Sequence, residues 1–424
     1  MTGDDTRALI YDWNEVEPRP ARAWVTLDDE TLRDGLQSPS VHDPAIEDKL
    51  EILHLMEALG MATADVGLPA AGPRAVADVT RIVEEIRDAK LRLRPNCAGR
   101  TVPGDVEAIA RISQATGVKI ACALFIGSSE IRKYTEDWDE ARMLATVRAS
   151  LDLAAREGLD VMFVTEDTAR ARPETIDLLY RTALDHGARR LVICDTVGHI
   201  EPRGVHALVR HMQGLVARSG VAGVKLDWHG HNDRGLGLVN ALAAVEAGVD
   251  QVHGCALGIG ERCGNTATDQ LLVNLRLMGY LDPAIDLTAL PRYVEKVSAA
   301  CRVPIPRNYP VVGPDAFETA TGVHAAAVIK AFKKGDTWLA NRVYSGVPAD
   351  EFGLEQRIAI GPMSGRSNVQ FWLERRGVEA TTEAVDRIFE AAKRSARTLE
   401  EDEVWALLGG RPAQARASKA TQPA

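Results

Sequence analysis

The chain has 424 residues and 46% apolar content, enough for one large domain with a sizeable core plus something smaller. Lys and Arg total 50 against 60 Asp and Glu; the resulting net charge of -10 argues against general nucleic-acid binding, whose affinity rests on neutralising phosphates. The six cysteines lack C-x-x-C spacing, which points to reduced thiols in a cytoplasmic protein and away from structural zinc.

Residues 1–23 are acidic early and lack the apolar stretch of a signal peptide, so they read as an N-terminal extension. No uninterrupted apolar run approaches the ~20 residues of a membrane span. From 24 to 285, short apolar or β-branched segments alternate with helical patterns, the form of repeated βα units. The strand candidates are AWVTLD, ATADVGL, LRLRPNC, VKIACALF, VMFVTED, RLVICDT, VKLDWHGH and QVHGCAL. Between the first two, DKLEILHLMEALG gathers Leu50, Ile52, Leu53, Met56 and Leu59 on one side, with Gly60 closing the helix. RPETIDLLYRTALDHG has Pro173 at a first helical position and Gly187 after the last turn. This alternation over roughly 250 residues fits an α/β fold, a closed (β/α)8 TIM barrel, better than an open doubly wound sheet. Residues 286–408 change character: RVPIPRNYPVVGPDAF is Pro-rich, and helical patterns follow in ATGVHAAAVIKAFKKG and TTEAVDRIFEAAKRSARTLEE. A linker and a small, mostly helical accessory domain are expected there. Residues 409–424 form a polar tail too poor in apolar groups to order itself.

In a barrel, polar residues at strand C-termini share one mouth. Here they are Arg33 and Asp34 after the first strand, Glu166, Asp167 and Arg170 after the fifth, and Asp195 and Thr196 after the sixth. His229 and His231 follow on the seventh; Glu261, Arg262 and Asn265 follow the eighth. Residues i and i+2 of a strand share a face, so the two histidines of HGHND point the same way. Taken singly, each group has a plainer explanation: a polar patch, a surface ion pair, a helix cap, a tight glycine turn. Together, one Asp oxygen, two imidazole nitrogens and an Asn carbonyl make a mixed set open to water or substrate. Mn2+, Mg2+, Co2+ and Zn2+ all suit it.

The motifs ETLRDGLQ, EDTAR, DTVG, HGHND and GIGERCGN, in this order, resemble the metal-dependent barrel superfamily of 2-isopropylmalate, homocitrate and citramalate synthases and 3-hydroxy-3-methylglutaryl-CoA (HMG-CoA) lyase. The likeness extends past the barrel into AFETATGVHAAAVIKA and VYSGVPADEFGLEQRIAIGPMSGRSNV, which look like the synthases' accessory region, absent from the lyase. The resemblance implies a Claisen-type acyltransferase that condenses acetyl-CoA with a 2-oxo acid. It implies metal binding by Asp34, His229, His231 and Asn265, charge stabilisation by Arg33, and proton exchange near the acetyl group at Glu166. It further implies that His324 and Tyr344 transfer protons and reach the barrel of a neighbouring subunit, hence a homodimer.

There are departures. Leu36 stands where synthases usually have Glu, as in the lyase; Thr319 stands where they commonly show His; Cys263 is expected as a small buried residue. The RKYT segment resembles the homocitrate synthase loop whose arginine receives a distal carboxylate, so Arg132, with Gln37 and Thr196, forms the expected substrate-binding set. An acidic 2-oxo acid such as 2-oxoglutarate, oxaloacetate or phosphonopyruvate is the expectation. The alternatives are lyase-like retro-aldol cleavage of a hydroxyacyl-CoA, and a non-catalytic relative that binds metal or acyl-CoA.

Overall fold

The computed structural model describes residues 9–16 and 24–411. Most of the expected N-terminal extension, and residues 412–424 of the expected tail, lie outside the described residues; within 9–16, Trp13–Glu15 form a 3-10 turn. Contacts divide the chain into two compact units, one ending at Ile305 and one beginning at Pro306 and including 9–16.

The first unit is a closed barrel of eight parallel strands in sequence order. They are β1 (Thr26–Asp29), β2 (Thr63–Asp65), β3 (Arg94–Arg100), β4 (Ala121–Gly127), β5 (Val161–Glu166), β6 (Arg190–Asp195), β7 (Lys225–Gly230) and β8 (Gln251–Gly254). β1 pairs with β2 and, closing the ring, with β8 through Thr26 and Gln251. Each strand overlaps a segment expected from the sequence, and closure excludes the open sheet. The helix Ile46–Ala58 buries Ile52, Leu53, Leu55 and Met56 while Leu50 stays half-buried, and Gly60 adopts φ +73° just beyond its end. The helix Pro173–Asp185 starts on Pro173, whose missing N–H costs nothing in a first turn.

The barrel interior has two characters. β4, β5 and β6 supply Ala123, Met162, Val192 and Cys194 as an apolar cluster. β1, β2, β3, β7 and β8 supply Asp28, Thr63, Asn96, Asp227 and Gln251, all buried. Hydrogen bonds among these polar groups and to Arg190 offset part of the cost of burying them. Asn96 Nδ2 and the Thr63 hydroxyl both donate to Asp28 Oδ1, the former at 2.8 Å, and Arg190 Nη1 donates to Asp227 Oδ1 at 2.6 Å.

The unit runs past the boundary at 285 expected from the sequence, because the helix Leu290–Cys301 packs on the barrel. It buries Leu290, Tyr293, Val294, Val297 and Cys301, and the Tyr293 hydroxyl reaches the Asp29 carboxylate and, at 3.0 Å, Thr31 Oγ1. The second unit is mostly helical, with helices Gly322–Lys333, Arg366–Arg375, Thr382–Arg394 and Glu401–Leu407. It adds a two-stranded parallel ladder, Glu318–Thr319 with Arg357–Ile358, and a core that includes Val369, Leu373, Ile388, Val404 and Trp405.

Candidate active site

The strand ends place Asp34, His229 and His231 together, all buried. Asp34 Oδ2 lies 3.5 Å from His229 Nε2 and 3.4 Å from His231 Nε2. Donor atoms at such spacing suit bonds of about 2.1 Å to one shared cation. Burial alone would raise the Asp34 carboxyl, but the neighbouring Arg33 guanidinium, then the hydrogen bond from His231, hold it well below the usual carboxylate range. It stays ionised, as a ligand must.

The coil after β8 brings the Asn265 backbone beside that of His231. Leu257 (φ 57°), Gly258 (φ 64°), Gly260 (φ 142°), Arg262 (φ 55°) and Gly264 (φ 81°) turn the backbone tightly, and His231 and Asn265 form an isolated bridge. A Cβ at Gly264 would stand 1.8 Å from the Gly258 carbonyl oxygen, so that position admits only glycine. Asn265 Nδ2 donates to the Ile259 carbonyl at 3.0 Å, while its buried Oδ1 has no hydrogen-bond partner among the described residues. An orphaned buried carbonyl on the residue bridged to His231 is of the chemistry a cation ligand needs. Cys263 is exposed, contrary to the buried position expected for it, because the coil turns outward at Glu261–Arg262 before returning. In the same coil, Arg262 pairs with Asp233 at 2.9 Å after β7 and donates to the Thr196 carbonyl at 2.5 Å after β6.

Arg33 is held by three carboxylates: Nε to Asp65 at 2.7 Å, Nη1 to Asp34 at 3.4 Å, and Nη2 to Glu30. It lines a cavity of about 240 Å³ together with Asp34, Gln37, Glu166, Thr196 and both histidines. Burial raises the Glu166 carboxyl, against the opposing charge of Arg132, which favours holding a proton at the rim. Thr196 Oγ1 accepts from the Asp167 N–H at 2.8 Å, and Arg170 grips Asp167 through two bonds of 2.8 and 2.7 Å. Arg132 faces a neighbouring cavity of about 460 Å³ that shares Phe125 and Glu166 with the first. It is flanked by Glu136 at 3.2 Å and Glu166 at 3.6 Å. His324 and Tyr344 belong to the second unit, where both are exposed and their rings stack at 4.3 Å.

Sequence reasoning missed Glu30, Asp65 and His253. Glu30 accepts from His229 Nδ1 at 3.1 Å and from His253 Nδ1 at 2.6 Å. Burial alone would lower the His253 imidazole, but hydrogen bonding to Asp227 and the Asp28 and Glu30 charges push it up to about 10. The missed signals were a glutamate opening the ETLRDG motif and a histidine inside the eighth strand.

A family profile described as HMGL-like matches residues 25–297. The chain belongs to the HMGL-like family. Among relatives, the homocitrate synthase AksA of Methanopyrus kandleri is 33% identical over 370 residues, 87% of each chain. A 2-isopropylmalate synthase of Methylacidiphilum infernorum is 30% identical over 392 residues, 90% of this chain and 74% of the relative. The solved structure of an HMG-CoA lyase from Brucella melitensis shares the fold, with a TM-score of 0.56 at 20% identity over 66% of this chain and 100% of that one. As an HMGL-like protein, the chain combines the family barrel with a further unit that the synthase alignments span in part. Its described residues contain no helix long and apolar enough to cross a membrane.

Proposed function

We propose that this HMGL-like protein condenses acetyl-CoA with a 2-oxo acid in the cytoplasm. The observation that carries the reading is the Asp34–His229–His231 cluster at the barrel mouth, in a chain whose synthase relatives align over 87–90% of its length, beyond the family barrel. Asp34, His229, His231 and Asn265 would hold a divalent cation, which when bound supplies Lewis-acid polarisation of the keto group. Gln37 and Thr196 position the oxo acid on the cavity wall, and Arg33, with N–H groups beyond its three carboxylates, faces the oxygen that gains charge. The acetyl methyl loses a proton, its carbon bonds to the keto carbon, the keto oxygen gains a proton, and water cleaves the thioester to free CoA. Glu166 exchanges protons near the acetyl group.

The exposed, stacked His324–Tyr344 pair supports a role in proton transfer at the barrel of a second copy, in a homodimer. Arg132 is assigned to a distal carboxylate of the oxo acid, which would compete with Glu136 for the guanidinium.

The test is thiol release by the purified full-length chain with acetyl-CoA and a panel of 2-oxo acids. CoA freed only when both substrates are present supports condensation. Acetoacetate formed from a hydroxyacyl-CoA alone, the reaction Leu36 favours, would overturn it.

A further inference from the structure

We propose that Glu30 is a positioning residue whose carboxylate fixes the tautomer and orientation of His229, and that His253 holds Glu30 in place to do so. The inference rests on the reading of Asp34, His229 and His231 as a cation site.

The two nitrogens of His229 face two carboxylates. Nδ1 lies 3.1 Å from Glu30 Oε1 in hydrogen-bonding geometry, and Nε2 lies 3.5 Å from Asp34 Oδ2. A neutral imidazole has one N–H to give, and an N–H···O bond is normally about 2.7–3.2 Å long. The proton therefore sits on Nδ1, and the Nε2 lone pair faces Asp34 and His231. That is the arrangement a cation ligand requires, and the partner on the far nitrogen is what sets it.

Glu30 cannot turn away. It is 3% exposed, accepts from His253 Nδ1 at 2.6 Å, and is paired with Arg33. His253 is pinned from its other side by Asp227 at 3.3 Å, and Asp227 by Arg190 at 2.6 Å. The chain of contacts runs from the mouth into the barrel interior and ends on strands β6 and β7.

The other histidine has no such support: His231 Nδ1 is buried without a partner among the described residues, and its place comes from the backbone bond to the Asp195 carbonyl at 3.1 Å. Glu30 should thus act on one imidazole and spare the other. Glu30, His229 and His253 also have donor atoms mutually within 4.8 Å, so a second cation held by them is the competing arrangement.

The experiment uses the metal-stripped full-length chain, Mn2+ titration by calorimetry, and side-chain 15N NMR of the histidines. In Glu30→Gln, Mn2+ binding is expected to weaken about 10- to 100-fold, and the His229 signal to change from a single Nδ1–H tautomer to a mixture, with His231 unmoved. Glu30→Asp, which keeps the charge but draws the carboxylate back, should do the same and serves if Glu30→Gln fails to fold. His253→Ala removes the donor that holds Glu30 and should weaken Mn2+ binding about 10-fold, with the His229 signal again changing to a mixture of tautomers.

Unchanged affinity and tautomer in the folded Glu30 variants would overturn the inference, as would undiminished affinity in folded His253→Ala or a second equivalent of Mn2+ in the wild type. A wild type that binds no Mn2+, or a His229→Ala variant that binds it undiminished, would instead overturn the cation-site reading itself.

Discussion

Replacing Asp29 by Asn isolates the energetic consequence of a buried carboxylate at the end of β1. Asp29 is fully buried, with Oδ1 accepting from the Thr31 N–H at 2.9 Å and Oδ2 facing the Tyr293 hydroxyl. Burial dominates these contacts and raises its pKa from 3.8 to about 6. Between those values the folded chain holds a proton that the unfolded chain has lost. The group's contribution to stability is therefore fully present below about pH 4 and disappears as pH rises through about 6. At about 1.4 kcal/mol per pH unit the span is worth about 3 kcal/mol. The substituted amide would not titrate, could accept from Thr31, and could donate to the Tyr293 oxygen. The stability of Asp29→Asn relative to wild type should then rise by about 3 kcal/mol from pH 4 to pH 7, read from urea unfolding of the barrel unit at a series of pH values. A difference that stays constant across that range would refute the reasoning, because Asp29 would then not be retaining its proton as burial demands.

His229→Ala should lower metal-dependent CoA release by about a hundredfold or more, and chelation of the wild type should do the same until Mn2+ is restored, as measured in the thiol assay. Arg132→Ala should reduce kcat/KM for a dicarboxylic 2-oxo acid by about 10- to 100-fold while sparing pyruvate, the loss expected for one charge-assisted pair; parallel steady-state kinetics would show it. Gly264→Ala should destabilise the barrel by about 2 kcal/mol or more and weaken Mn2+ binding, since the new Cβ meets the Gly258 carbonyl at 1.8 Å and the coil carrying Asn265 must move. Thermal melting and calorimetry would check both effects.

The barrel was legible because each strand is a short apolar run that ends in a polar residue, so that VTED, CDT and HGH mark both the strand and its C-terminal end. Strand parity likewise put His229 and His231 on one face, and the structure brings both to Asp34. What did not show was the polar half of the barrel interior. Asp28, Thr63, Asn96 and Gln251 carry no local mark of burial, because they bond to one another across strands distant in sequence. Glu30 was hidden in the same way, because its partners His229 and His253 are 199 and 223 residues away. The domain limit moved for a related reason: Tyr293 belongs to the barrel through a hydroxyl contact with β1 that no local pattern announces.

The Arg262 cross-tie has a consequence for how this rim can change. One guanidinium clasps Asp233 after β7 and the Thr196 backbone after β6, while Arg262 itself sits in the coil after β8. The three successive loops after β6, β7 and β8 are thereby fastened at one knot. Substitutions at 233 and 262 should behave as a single lesion in a double-mutant cycle, and drift in any of these loops should be transmitted to the others.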